Sequence, residues 1–308
     1  MANILNFSRL RRTPPQGGSS EVAGFLQDFS IEVMPRTAAK IDDFRAILPA
    51  GTRVYVAHID GFEFDAMLAT ARRLVDEGFQ VMPHFPARGI IDRNDLRNRI
   101  AAYSDVGVRQ ALVLAGGIDK PHGAYSDSMQ LLETGLFDEF GFTDLHVAGH
   151  PEGNMDIDPD GSTTHVTHAL QWKNDFQTRT DARMAIATQF CFESQPVIDW
   201  CDRLRENGIT LPVHIGVAGP AKLQTMIKFA MACGVGPSLR VLQKRATDLS
   251  KLVLPFEPDQ ILSELAAHKA RNPDFAVERV HFFPLGGITK TTEYVSGATS
   301  TENIRARA

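Results

Sequence analysis

Four apolar runs end in residues that can donate, accept or carry charge. They are Ile31-Glu32-Val33-Met34-Pro35-Arg36, Met82-Pro83-His84, Ala148-Gly149-His150-Pro151-Glu152-Gly153 and Ala187-Thr188-Gln189-Phe190. Glu32 is a carboxylate among apolar neighbours, which is costly to bury unpaired. Desolvation raises a carboxyl pKa, and that suits a general acid working near neutral pH. The plainer alternative is a structural ion pair with Arg36 or another base. His84 at a strand end is either a satisfied core residue or a hydrogen-bond partner for a ligand ring or phosphate. Gln189 is either a core amide or a neutral partner for a heterocycle that presents donor and acceptor together.

Two further segments carry the same ambiguity. Leu114-Ala115-Gly116-Gly117-Ile118-Asp119 ends another apolar run. Its paired glycines make an ordinary tight turn or let a flat ligand lie against the backbone. Trp172-Lys173 offers a ring face and a cation, or a core Trp beside a surface Lys. His146, His150 and Glu152, with His84 or His214, invite a metal reading. Against it, the first strand lacks a His-x-His pair, and Pro284-Leu285-Gly286-Gly287 stands where an eighth-strand Asp would be needed. No metal is expected.

These residues have to be positioned by something, and the pattern between them says what. Apolar runs at 29–34, 53–58, 80–84, 110–115, 144–149, 183–189, 211–217 and 279–284 read as buried strands. They alternate with amphipathic patterns at 37–48, 63–77, 92–105, 126–139, 165–177, 195–206, 220–233 and 257–270. Asp92 and Ser194 are candidate helix caps. Eight such units predict a single (β/α)8 TIM barrel over 21–295, in which all C-terminal strand ends meet around one pocket. A doubly wound sheet is the alternative, but the first strand lacks a GxGxxG turn. Residues 1–20 and 296–308 are polar and rich in small residues or arginine, and are expected to be flexible.

Composition narrows the function. The chain has 308 residues, 43% hydrophobic and 22% charged, enough for a large core. Net charge is −5 with both signs interspersed, and no basic stripe points to nucleic acid. Cys191, Cys201 and Cys233 form no CxxC pair, so buried free thiols in a reducing compartment are expected. With no signal-like start and no long apolar stretch, the expectation is a cytoplasmic protein without a membrane span. Exposed helix faces of barrels often pair, which leaves a homo-oligomer open.

Taken in order from Phe29 to about Tyr294, the segments resemble the methylenetetrahydrofolate reductase family, in its short, barrel-only bacterial form. The most specific matches are Glu32 before Met34-Pro35-Arg36, the Pro83-His84 pair, the Pro151-Glu152-Gly153 loop and Thr188-Gln189-Phe190. The resemblance implies FAD lying across the strand ends and NADH or NADPH as electron donor. It implies reduction of 5,10-methylenetetrahydrofolate to 5-methyltetrahydrofolate, or the reverse. Glu32 matches the general acid that helps open the folate's five-membered ring. Gln189 matches the residue that holds the pterin, and Leu285 an apolar residue near the folate. His84, Leu114, Ala115, Gly116 and Tyr125 match flavin-binding positions, and Lys173 a cation near the diphosphate.

Departures from the family pattern fall around the cofactor. Its fourth strand usually ends Arg-Gly-Asp; here Ala115-Gly116-Gly117 stand, with Asp119 two residues on. Losing a carboxylate beside the flavin predicts easier flavin reduction. His150 and Asn154 stand where the family usually has a tyrosine and a histidine. Leu223 replaces an aromatic that stacks on the nicotinamide. Two other readings compete: a non-redox barrel that binds folate or a nucleotide, and a metal-dependent barrel hydrolase built on His146, His150 and His214.

Overall fold

The eight apolar runs become eight parallel strands, hydrogen-bonded in chain order, with the last pairing with the first. The structure is a computed structural model and describes residues 19–58, 63–232 and 255–300. Strands β1 to β4 are Ser30–Val33, Arg53–Val56, Gln80–Pro86 and Gln110–Leu114. Strands β5 to β8 are Asp144–Gly149, Arg183–Cys191, Val213–Ala218 and Val277–Phe283. Helices pack outside, making one (β/α)8 barrel and excluding the open doubly wound sheet. Ser19–Phe25 (α1) precedes β1 and packs against Asp259–Arg271 (α10) and Ile288–Thr299 (α11).

Burial on both faces explains the near-continuous apolar strands. Ile31, Val33, Val54, Val56, Val113 and Val147 point outward into the main core shared with the helices. Tyr55, Met82, Leu112 and Ala187 form a separate cluster inside the barrel. Thus β2, β3, β4 and β6 divide their alternate residues between two cores.

Three helical expectations need correction. The pattern at 37–48 gives only Pro35–Ala38 (α2) and a 3-10 turn at Phe44–Ala46. Arg73 explains the interruption: its guanidinium donates to the carbonyls of Ala38, Ile41 and Asp42, which a continuing helix would have used. Asp43 then caps the new turn by accepting from the Arg45 amide. The pattern at 126–139 splits into Ser128–Leu132 (α5) and Leu136–Glu139 (α6), because Gly135 takes a φ of 69° between them. Finally, α11 after β8 was not anticipated, and it carries residues 296–299, expected as flexible tail, into a helix.

The remaining helices follow the sequence pattern: Phe64–Asp76 (α3), Arg93–Asp105 (α4), Thr164–Phe176 (α7), Ser194–Glu206 (α8) and Leu223–Ala232 (α9). Asp92 caps α4 by accepting from the Asp95 amide at 2.8 Å. Ser194 does not cap α8. It is the first helical residue, and its hydroxyl donates to Glu264 instead. Cys191 and Cys201 are buried free thiols; Ser19 and Ser20, expected within the flexible start 1–20, instead open α1, while Cys233, residues 1–18 and residues 301–308 lie outside the described residues.

Candidate functional site

The C-terminal strand ends enclose a cavity of about 690 Å³. Glu32, His84, Leu114, Ala115, Gly116, His150, Asn154, Gln189 and Leu285 all line it. Gly117, Asp119, Tyr125, Lys173 and Leu223 do not. Asp119 is exposed, so no carboxylate from the fourth strand end or its loop reaches the cavity. Lys173 is buried on α7 behind the wall, close enough to His150 to help hold its pKa down.

At the floor, Glu32 points up between two imidazoles. His84 Nε2 is 3.5 Å and His281 Nε2 3.9 Å from the same oxygen, Oε2. Burial, opposed by the nearby Glu32 charge, lowers the His84 pKa to about 4, so the ring is neutral at pH 7. Its Nε2 is buried without a hydrogen-bond partner among the described residues. Such an atom asks for a donor or acceptor that a ligand or a rotated Glu32 supplies.

Gln189 reaches the cavity through an irregularity in β6. The β6–β7 register shifts between Ala187 and Phe190. Thr188 Oγ1 fills the break by accepting from the Gly216 amide at 2.8 Å. Bulges of this kind re-aim side chains beside sites. The Phe190 amide donates to Gln189 Oε1 at 3.0 Å, so the NH2 is the group offered to the cavity. Phe229 from α9, Phe283 at the end of β8, and Pro284 and Leu285 after it add an apolar wall.

The turns around the rim are tight. Gly116 has a φ of +97°, and an added Cβ would lie 3.0 Å from Pro86. At Gly286 a Cβ would lie 1.9 Å from the Pro220 carbonyl oxygen. Both positions therefore bring bare backbone to the cavity edge. Lys40, Arg88 and Lys290 stand around the opening. Arg88 also braces the loop after β4 by donating to the carbonyls of Ile118 and Ser126.

Beneath the floor runs a polar column. Tyr55 Oη lies 2.6 Å from His146 Nδ1, and Arg53 Nη1 lies 3.3 Å from His146 Nε2. Arginine only donates, so Nε2 accepts and the ring proton sits on Nδ1, facing Tyr55. Arg53 also pairs with Asp144 at 3.1 Å across the barrel. Burial lowers the His146 pKa strongly, with His214 adding to the effect. Burial likewise lowers His214 to about 4. His146 and His214 pack ring edge to face at 4.5 Å. The histidines that suggested a hydrolase are thus spread along the column and the rim. No group of three or more His, Cys, Asp or Glu among the described residues is placed to hold a metal ion.

Sequence reasoning missed His281, Phe229 and Ser30. Only the closure of β8 onto β1 brings His281 to Glu32, and that pairing leaves no local signal. Trp172 turns away from the cavity, stacking on Phe176 at 5.2 Å with Arg179 over its ring.

No family model matches the chain. Solved structures resemble it, two of them as follows. An uncharacterized protein from Clostridium thermocellum that binds two copies of 5-methyl-5,6,7,8-tetrahydrofolic acid superposes with a TM-score of 0.54 at 9% identity, covering 92% of this chain and 98% of that one. Yersinia pestis DHPS with a pterine-sulfa conjugate gives a TM-score of 0.41 at 13% identity, covering 91% and 95%. The first likeness supports the barrel fold; the second is too distant to add weight. No helix among the described residues is long and apolar enough to cross a membrane.

Proposed function

We propose that this barrel is a flavin-dependent folate oxidoreductase interconverting 5,10-methylenetetrahydrofolate and 5-methyltetrahydrofolate, with NADH or NADPH as electron donor. The observation that carries the reading is Glu32 at the floor of the cavity, with the Gln189 amide and the bare Gly116 backbone on its walls. That the Clostridium thermocellum barrel binds 5-methyltetrahydrofolic acid makes a reduced folate a reasonable ligand for a barrel of this shape.

The cavity residues fit a flavin. Leu112, Leu114, Ala148 and Ala187 give apolar contact for a flat ring. His84 Nε2, without a hydrogen-bond partner among the described residues, would hold its polar edge, and Lys40, Arg88 and Lys290 would suit an anionic chain. When bound, FAD supplies reversible hydride acceptance and donation.

The chain's own residues do the rest. Glu32 delivers a proton to the folate ring nitrogen whose bond to the methylene carbon breaks, leaving an electrophilic iminium at that carbon. The Gln189 NH2 holds the pterin edge. Phe229, Phe283 and Leu285 exclude water from the iminium. Glu32→Gln should leave FAD bound and slow the folate half-reaction by roughly two orders of magnitude or more. An unchanged folate half-reaction in that variant would refute the role.

One observation favours a second reading, a folate-binding barrel without redox chemistry. The fourth strand end presents Ala115-Gly116-Gly117 and no carboxylate to the cavity. Binding of 5-methyltetrahydrofolate without retention of FAD would select it.

A further inference from the structure

Ser30 and Glu32 point the same way into the barrel, because side chains two residues apart on a strand share a face. The pairing of β1 with β8 sets Ser30 beside His281. The His281 ring spans the two residues. Its Nδ1 is 3.0 Å from Ser30 Oγ and its Nε2 is 3.9 Å from Glu32 Oε2. Ser30 is fully buried and His281 is 2% exposed. Tyr55 and Phe283 pack against the ring at 4.3 and 4.9 Å and fix its plane.

The Ser30 hydroxyl and the His281 ring can share this bond in either direction, and the geometry beside Glu32 favours the hydroxyl as donor. Among the described residues, His281 Nδ1 is the hydrogen-bond partner of the Ser30 hydroxyl. With the hydroxyl donating, its proton goes to Nδ1. Nδ1 therefore accepts, and the ring proton sits on Nε2, the nitrogen facing Glu32. From the other side His84 brings an unpartnered Nε2 to the same carboxyl oxygen.

We propose that Ser30 and His281 are a positioning pair that governs how tightly Glu32 holds its proton. The Nε2–H of His281 stabilises the ionised carboxylate, and the His84 nitrogen receives the hydrogen of the protonated form. Glu32 can then hold or release a proton without leaving its place. The 3.9 Å separation closes when substrate fills the cavity, as catalytic hydrogen bonds commonly tighten on loading. The inference rests on Glu32 being the acid of the proposed reaction.

The other charged and titratable groups near Glu32 come from several elements. Tyr55 stands in register with it on β2, and His58 follows that strand. Lys40, Arg88, Asp156 and Lys290 line the cavity above. The Ser30 hydroxyl meets the His281 ring, and that ring faces Glu32, so a change at Ser30 reaches Glu32 through His281.

Difference infrared spectroscopy of the full-length protein across pH reads the Glu32 carboxyl directly, its band assigned by its loss in Glu32→Gln. In Ser30→Ala the His281 proton is no longer held on Nε2, and the Glu32 midpoint should rise by about one pH unit. Ser30→Thr keeps the hydroxyl and should restore the midpoint. A merely structural contact would change the melting temperature and leave the midpoint alone; an unmoved midpoint in a folded Ser30→Ala overturns the pair. Nitrogen-15 NMR of His281 in the unaltered protein tests it without any variant: an Nε2–H tautomer supports the pair and an Nδ1–H tautomer overturns it. Neither measurement needs turnover, so absent folate chemistry would count against the proposed reaction and these results against the pair.

Discussion

Asp144 is the place where one substitution should do most damage without touching the cavity. Its side chain is 6% exposed and accepts from Arg53, also 6% exposed, at 3.1 Å inside the barrel. It accepts as well from Arg183 at 3.0 Å, but Arg183 is 80% exposed. Asp144→Asn keeps the shape and removes the charge. Arg183 then turns to solvent at little cost, since an exposed pair contributes about 1 kcal/mol or less. Arg53 cannot, and leaving a buried guanidinium without its counter-charge costs about 3–5 kcal/mol. Urea unfolding followed by circular dichroism and tryptophan fluorescence should show that loss as a lower midpoint at unchanged slope. Arg183→Gln, the control, should fall within about 1 kcal/mol of the parent protein. If the two variants lost equal stability, the ion pair would not be the buried anchor beneath the site.

Other consequences can be checked the same way. Burial lowers the pKa of His84, His150 and His214 each to about 4 in the folded chain. The unfolded chain, with histidine near 6.5, then binds more protons between roughly pH 6.5 and 4, so stability falls as pH drops through that window. Unfolding free energies at pH 7 and pH 5 should differ by about 1–2 kcal/mol per histidine, and a flat profile would contradict the neutral, buried rings. Gln189→Ala should weaken folate binding more than flavin reduction by the nicotinamide donor; equal losses in both half-reactions would remove Gln189 from the pterin. Gly286→Ala forces a Cβ against the Pro220 carbonyl and should destabilise by about 1–3 kcal/mol in thermal unfolding, whereas an unchanged melting temperature would mean the loop yields freely.

The barrel was legible because strands buried on both faces are written as apolar runs, and their polar ends mark the rim of a single pocket. Glu32, His84 and Gln189 stood out for that reason, each a polar residue near the end of its run that lines the cavity. What stayed hidden depends on contacts between distant elements. Arg73 on α3 takes the carbonyls that would have continued the helix after Ala38. The α11 sequence, Ile288-Thr289-Lys290-Thr291-Thr292, buries threonines beside Gly219 and so lacks an apolar stripe. Ser30 and His281 meet only because the last strand closes on the first. The column of Arg53, Tyr55 and His146 is assembled from two strands on different sides of the barrel, and no spacing in the sequence announces it.

The central claim is that the cavity over Glu32 holds a flavin coupled to a reduced folate. An anaerobic visible spectrum of FAD-supplemented, desalted protein, titrated with 5-methyltetrahydrofolate, tests it most directly. The flavin should remain with the protein and bleach as folate is added. Flavin that is lost on desalting, or that is retained and stays oxidised, would contradict it.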